Sequence, residues 1–426
     1  MGRRLFDIAH GALAYGGELL SSSNGNLRAT FLLEEYRKRR RYYSDRFRKL
    51  GLPFSDSLVG PRTKERLASR GISVGSREFG DVHTLAFFPL LGWHDQLLAP
   101  LGSLGPLSYF DPITMGLDYP ALFRRESRMV AARRAVCDRF VAYAEEVSHR
   151  RKVDWVFVYA SALEILADTV DRVRNATGAP VVGMCLDDKQ SWNVEGLGGQ
   201  AGGQIPLATR LDLAWTSARI ACEWYLVEGG NPIYMGEGCS PELYSPGDGI
   251  QDVDACFVGQ AYGFRRKFID KLRRLGLSVT TAGAGWPGGT ISEAEVIRLY
   301  RRAKIILGMG GIGWSADLKN VKGRDFDVPA LGSAVYLTSY NPELTEHFDL
   351  GKDICCYSTV DECVELAQSL LADETKRVAI ARQGRERCLQ QHTWIHRFAR
   401  VLEILGIHTA PGRHDLGLGQ SETIPG

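Results

Sequence analysis

Between positions 319 and 327 the chain carries three cations, Lys319, Lys322 and Arg324, and then two acids, Asp325 and Asp327, on either side of Phe326. A small apolar run, Pro329 to Val335, follows at once. A guanidinium group is a planar fork of donors that matches the oxygens of a diphosphate, and an ammonium group is a compact charge for the same purpose. An acid near a helix start can accept hydrogen bonds from the vicinal hydroxyls of a ribose. The small residues after it let such a helix lie close against a sheet. The spacing predicts a helix that begins near Asp327 or Val328. The same residues equally suit an internal ion pair between Arg324 and one of the aspartates, with Asp327 as a simple N-cap. Residue types alone leave both open.

Other stretches can serve the same ligand. After the apolar run "CFVG", Gly259 and Gly263 allow close backbone approach, and Arg265 and Arg266 enter at the first turn of a predicted helix, where the helix dipole favours an anion. After "KIILGMG", Gly308, Gly310 and Gly313 spell G-x-G-x-x-G. A dinucleotide reading of that motif needs a helix directly after the glycines, and "WSADLKN" is too short and polar to form one. The loop reads instead as backbone laid against a phosphate or a sugar.

Candidates for moving a proton are His94, at the end of an apolar strand in "LLGWHD", and Asp187 and Asp188 in "GMCLDDKQSW". Each could take a hydroxyl proton if it lies within hydrogen-bond reach, and each also suits a surface loop with capping acids. No metal is expected, because the Asp pair lacks a histidine at ligand spacing. His392 and His396 stand four apart on a helix and read as helix surface, and His10, His83 and His347 have no companions.

These residues need a frame. From residue 82 short apolar strands alternate with amphipathic helices, which argues for parallel sheets covered on both faces. The alternation pauses at the Gly- and Pro-rich "GGNPIYMGEGCSPELYSPGDG" and then resumes. Two capping boxes, Ser292 with Glu295 and Thr359 with Glu362, mark helix starts. The fold class is therefore α/β, two doubly wound Rossmann-like domains facing a central cleft. Residues 1–80 form a helical or irregular N-terminal extension and 81–228 the first domain. Residues 229–250 are a hinge, 251–392 the second domain, 393–410 a closing helix and 411–426 a disordered tail.

The 426 residues exceed what one core holds, and a formal net charge of +2 argues against a nucleic-acid partner. The basic run "RKRRRYYSDRFRK" (37–49) is local. It reads as a solvated helix face, with peripheral contact to an anionic membrane surface as the alternative. Nine cysteines without a C-x-x-C read as core thiols of a reducing compartment. Met1-Gly2 with Phe6 does not fit a myristoylation signal, and no apolar stretch suits a signal peptide or a membrane span. A cytoplasmic protein, possible at the inner face of the membrane, is expected.

Three segments, "KGRDFDVPALGSAVYLTSYNPEL", "DLGKDICCYSTVDECVELAQSLLAD" and "RQGRERCLQQHTWIHRFARVLEIL", resemble the C-terminal half of the CgeB-like, group-1 glycosyltransferases. These are GT-B enzymes related to the retaining family 4. The closing element is His392, Thr393, Trp394 and Arg397. The likeness spans about 212 to 405, is looser over 82 to 211, and excludes 1 to 80. It implies a nucleotide-sugar donor held by the second domain, without a cofactor, and sugar transfer with retention to a glycan, lipid-linked or small-molecule hydroxyl. In the resembled family an E-x7-E pair brackets the donor. Its second acid falls on Asp327 and its first on Lys319, a departure that leaves the sugar-contacting role unassigned. Arg265 falls on a diphosphate contact, and Trp286, with backbone near Ile291, on the base contact. Gly259, Gly310, Lys322 and Arg324 complete the expected donor site. A non-catalytic glycan-binding protein and a sugar-nucleotide epimerase are the alternatives on the same scaffold.

Overall fold

Four-residue runs such as "TLAF", "WVFV" and "LAWT" are apolar on both faces, so they are stable only as inner strands of a covered sheet. The computed structural model describes residues 25–88, 93–123, 128–195, 201–247 and 249–407. The expected tail from Pro411, the chain start and His10 lie outside the described residues.

The described chain divides into two units, Tyr36–Met235 with the segment from Arg397, and Gly236–His396 with Ser22–Glu35. Helix α1 (Gly25–Leu50) and helix α2 (Asp56–Ser69) come first. The first unit then alternates β1 (Thr84–Phe87), α3 (His94–Ser103), β2 (Leu107–Tyr109), α4 (Arg128–Arg150), β3 (Trp155–Val158), α5 (Ala167–Thr177) and β4 (Val181–Cys185). A short α6 (Asp188–Ser191), the antiparallel pair β5 (Asn193–Glu195) and β6 (Ala201–Gly203), and α7 (Ile205–Ala208) interrupt the pattern. It closes with β7 (Leu213–Thr216), α8 (Arg219–Val227) and β8 (Pro232–Tyr234). The sheet order is β2-β1-β3-β4-β7-β8, with every pairing parallel.

The stretch read as an interdomain connection thus begins with β8, a buried strand of this sheet. A 3-10 turn at Tyr119–Phe123 precedes α4. Trp155, Trp215 and Trp224 are fully buried. Phe398 packs on Trp155, Phe157 and Trp215 at ring separations of 6.2, 5.6 and 6.1 Å, so the closing helix covers this sheet from Arg397 onward.

The second unit runs β9 (Val253–Val258), α9 (Arg265–Arg274), β10 (Val279–Ala282), α10 (Glu293–Arg302), β11 (Ala303–Leu307), α11 (Arg324–Leu331), β12 (Val335–Ser339), β13 (Cys355–Tyr357), α12 (Val360–Ala372), α13 (Glu374–Gln391) and the start of α14 (Trp394–Leu405). Its sheet is ordered β10-β9-β11-β12-β13, also all parallel. The Ser292–Glu295 capping box is complete. At the second expected box the Thr359 hydroxyl accepts from Glu362 N, while the Glu362 carboxylate reaches Ser358 N instead. The α/β class with two parallel, Rossmann-like sheets is therefore observed. Among the described residues no helix is long and apolar enough to cross a membrane.

This strand order has a consequence. Counted within the sheet it is 2-1-3-4-5, so successive connections change direction between β9 and β11. At such a switch point the loops after neighbouring strands diverge and leave a crevice beyond the carboxyl ends. Those loops begin at Gly259 and Gly308.

Candidate functional site

At Gly259 the backbone has φ +150°, and a Cβ there would lie 3.2 Å from Arg324 Nη2 and 3.5 Å from Arg265 Nη1. Glycine lets two guanidinium groups close on one strand end. Both also lean on the ring of Phe257, with Arg265 Cζ 5.6 Å and Arg324 Cζ 5.4 Å from its centroid. The two cations come from different elements. Arg265 is the first residue of α9, and Arg324 is the first residue of α11.

Arg265 is buried, stacks on Tyr262 at 4.1 Å, and donates from Nη1 to the Gln260 carbonyl at 3.1 Å. Its Nε has no hydrogen-bond partner. Burial pushes its pKa down, and the Arg324 charge adds to that against the opposing pull of Tyr262. For Arg324 burial also acts downward, but Tyr300, Tyr336 and Asp325 outweigh it and hold the group above the usual arginine range. Among the described residues neither guanidinium is in an ion pair with a carboxylate. Two like charges at one point, neither in a direct ion pair, form a site that favours an anion.

The acids beside Arg324 have other positions. Asp325 accepts from Tyr336 OH at 2.7 Å and from Lys322 N at 2.8 Å, and burial raises its pKa. It braces the entry to α11. The helix starts at Arg324, three residues ahead of the expected point, and its N-cap is Gly323, so Asp327 sits inside the first turn. The internal ion pair and the Asp327 cap are both absent. Asp327 is buried near Gly323, and so is Glu237. A Cβ at 323 would lie 2.6 Å from Glu237 Oε2 and 3.5 Å from Asp327 Oδ2. Glu237 escaped the sequence reading because it sits in the Gly-rich "MGEGCSP", which looked like linker. The glycines on either side, which permit close packing against Phe326 and Trp394, were the available signal.

The glycine loop is pinned as irregular backbone, with no helix until α11. Tyr357 OH donates to the Gly308 carbonyl at 2.8 Å, and Gly310 N donates to Ser339 Oγ at 2.9 Å. A side chain at 308 would strike Tyr336 OH at 2.2 Å. Lys319 pairs its backbone with Gly311 and donates its ammonium to the Tyr340 carbonyl at 2.6 Å. Lys322 is half-buried on the same approach. Trp286 is buried, its indole N–H donating to the Gly259 carbonyl at 2.7 Å. It holds the turn on which both arginines converge.

In the first unit His94 opens α3 and lies 3.1 Å from Tyr109 OH, which reaches the Phe88 carbonyl at 3.0 Å. A phenol has one proton. When it goes to Phe88, His94 Nε2 must donate, which leaves Nδ1 as the acceptor of a neutral ring. Asp187 is half-buried at the start of α6. Asp188 is sealed, accepting from Thr216 and Tyr225 hydroxyls, and burial lifts its pKa to about 7. His347, read as isolated, packs against Phe326 and His392 at 5.2 and 5.6 Å. Among the described residues no three His, Cys, Asp or Glu side chains are grouped to hold a metal ion.

Residues 265–403 match the model of a family described as glycosyl transferase-like. That segment covers α9 through most of α14, and so both arginines. No curated protein matches the chain. Among solved structures, it is similar to a sucrose-phosphate synthase from Thermosynechococcus elongatus (11% identity, 64% of this chain and 78% of that chain, TM-score 0.47). It is also similar to Anabaena HepE in complex with UDP and glucose (13%, 75% and 91%, 0.47). A third is a putative UDP-N-acetylglucosamine 2-epimerase from Listeria monocytogenes (10%, 76% and 96%, 0.44).

Proposed function

We propose that the second unit holds a nucleoside-diphosphate sugar and that the chain transfers the sugar to a hydroxyl acceptor. The observation that carries this reading is the convergence of Arg265 and Arg324 on Gly259, at the switch point of a parallel sheet, without a carboxylate to neutralise them. The family match over 265–403 supports the same class of chemistry. In this reading the two guanidinium groups and Lys322 take the diphosphate, and their charge stabilises it as it departs. The backbone of the Gly308–Gly310 turn lies against the phosphate or the sugar, and Asp327 takes the ribose. His94 and Asp187 remain the candidates for accepting the acceptor's proton, because Asp188 is enclosed. Retention at the anomeric carbon and no resident cofactor belong to the proposal as the resemblance implies them, and a cytoplasmic location as the composition and cysteine pattern suggest it. Exposed Arg40, Arg41, Arg46 and Lys49 on α1 make contact with an anionic membrane surface part of it too.

A second reading has its own observation. Lys319 stands where the resembled family has an acid, and its ammonium is engaged with Tyr340. A protein that binds a nucleotide sugar or glycan without transfer fits that. Incubation with a panel of nucleotide sugars separates the two. Release of nucleoside diphosphate, slow alone and faster with acceptor, supports transfer. Saturable binding without release supports the second reading, and no binding to any member overturns the first and leaves a glycan binder.

A further inference from the structure

A second cationic pocket lies at the other end of the same sheet. It is a cavity of about 340 Å³, within the size range of small-molecule sites, lined by Arg301, Lys304, Arg377, Gln251, Ser333 and Glu374, with Gly247 and Gly249 at its rim. Gln251 precedes β9, Lys304 is the second residue of β11 and Ser333 precedes β12, so the pocket sits at the amino ends of the strands. Strand β9 has six residues, which puts the pocket about 20 Å from the arginines at Gly259. One small ligand does not span both.

The walls are built rather than incidental. The Gln251 side-chain amide donates to the Ala303 and Ser333 carbonyls at 2.8 and 2.6 Å, tying the entries of β11 and β12 together. Arg301 is oriented by Ser245, from Nε to its carbonyl at 3.0 Å and from Nη2 to its hydroxyl at 2.8 Å. At Gly247 a Cβ would meet the Arg301 stem at 2.9 Å, so the absent side chain allows the loop to lie on it.

The charges are only partly met. Arg377 is 5% exposed, and its Nη1 donates to the Leu370 carbonyl at 3.0 Å. Its Nε has no hydrogen-bond partner. Its carboxylate neighbour, Glu374, is 3.9 Å away on a side chain that is 82% exposed. The Ser333 hydroxyl is buried and also without a partner. Lys304 is paired with Asp254 at 2.8 Å. Among the described residues three cations therefore face one cavity, against one solvated acid in its lining and one acid behind Lys304. A buried guanidinium so placed is stabilised by an anion with several acceptor oxygens.

We propose that this pocket binds a phosphoryl dianion, either free phosphate or the phosphate of a small monoester, independently of the nucleotide site. Arg377 is too buried to be the first residue to change. Arg301→Gln and Lys304→Gln alter part-exposed side chains, removing the charge while leaving a polar amide. Calorimetric titration of the full chain with inorganic phosphate, and separately with glycerol 3-phosphate, is compared for wild type, each Gln variant and Arg324→Ala. The proposal expects saturable binding of at least one probe, weakened about tenfold by either Gln substitution. Arg324→Ala leaves it unchanged, and Glu374→Gln tightens it. Tighter binding of inorganic phosphate identifies the free ion, and tighter binding of the monoester identifies a phosphorylated metabolite. Absence of saturable binding, or binding abolished by Arg324→Ala and untouched by the Gln variants, overturns the proposal. Thermal unfolding without phosphate confirms that each variant is folded.

Discussion

Replacing Arg324 by alanine removes one of the two guanidinium groups at Gly259 and tests whether its counter-charge is a ligand. Hydrogen bonds to charged groups contribute roughly 1.5–3 kcal/mol each, and a fork that makes one or two of them to a diphosphate contributes about 2–4 kcal/mol. Nucleoside-diphosphate affinity should therefore fall roughly 30- to 1,000-fold. The effect on stability is smaller because two terms oppose each other. The variant loses the contact of Arg324 with the Phe257 ring and its favourable interactions with Tyr300, Tyr336 and Asp325, about 1–3 kcal/mol together. It also loses the repulsion between Arg324 and Arg265, which lowers the Arg265 pKa in the native protein. The net change should stay near 1 kcal/mol, or about 3 °C in Tm. Calorimetric titration with a nucleoside diphosphate, beside thermal unfolding of the unliganded protein, reads both quantities. Undiminished affinity together with a Tm lowered by ten degrees or more would make Arg324 a structural residue and refute the reasoning.

Asp188 makes a pH prediction. Its folded pKa of about 7 lies above the unfolded value near 3.9, so the folded protein holds an extra proton between them. The stability this group contributes is full below about pH 4 and is lost as pH rises through 7, by up to ~4 kcal/mol. The stability difference between wild type and Asp188→Asn, from urea unfolding at several pH values, should shift in favour of the variant along that course. A flat difference contradicts it. Gly259→Ala places a Cβ against both arginines at φ +150°, and should cost about 1–3 kcal/mol of stability while weakening nucleotide binding in the same titration. Trp286→Phe leaves the Gly259 carbonyl without its donor, so stability should fall by about 1–3 kcal/mol with the order of preference among nucleotide bases unchanged. His94→Asn should lower transfer by roughly 10²- to 10⁴-fold with donor affinity intact, measured as acceptor-dependent release of nucleoside diphosphate.

Much of the frame was legible because it depends on local pattern. Apolar runs of four to six residues between amphipathic helices can be stable only as buried parallel strands, and the Ser292–Glu295 box marks its helix start to the residue. The glycine loop's lack of a following helix was equally readable from "WSADLKN". What was not legible depends on packing between distant segments. Helix α2 contains Gly60 and Pro61, so its sequence resembles a loop, and contacts such as Arg66 with the Thr209 and Leu211 carbonyls hold it in place. Strand β8 hid among glycines and a proline. Of the adjacent acids Asp187 and Asp188, nothing local says which turns inward, and the hydroxyls of Thr216 and Tyr225 decide it. That Trp286, expected at the base, also braces the Gly259 turn through its N–H was not legible either. The pairing of Arg265 with Arg324 spans 59 positions and emerges only when β9 and β11 lie side by side.

The central claim is that the second unit grips a pyrophosphate. Its most direct measurement is a calorimetric series on the native protein with a nucleoside, its monophosphate and its diphosphate, for the bases uracil, guanine and adenine. The account predicts that, for at least one base, affinity climbs steeply with each added phosphate, and that inorganic pyrophosphate competes with the diphosphate. Equal affinity for nucleoside and diphosphate, or no binding of any member, contradicts it.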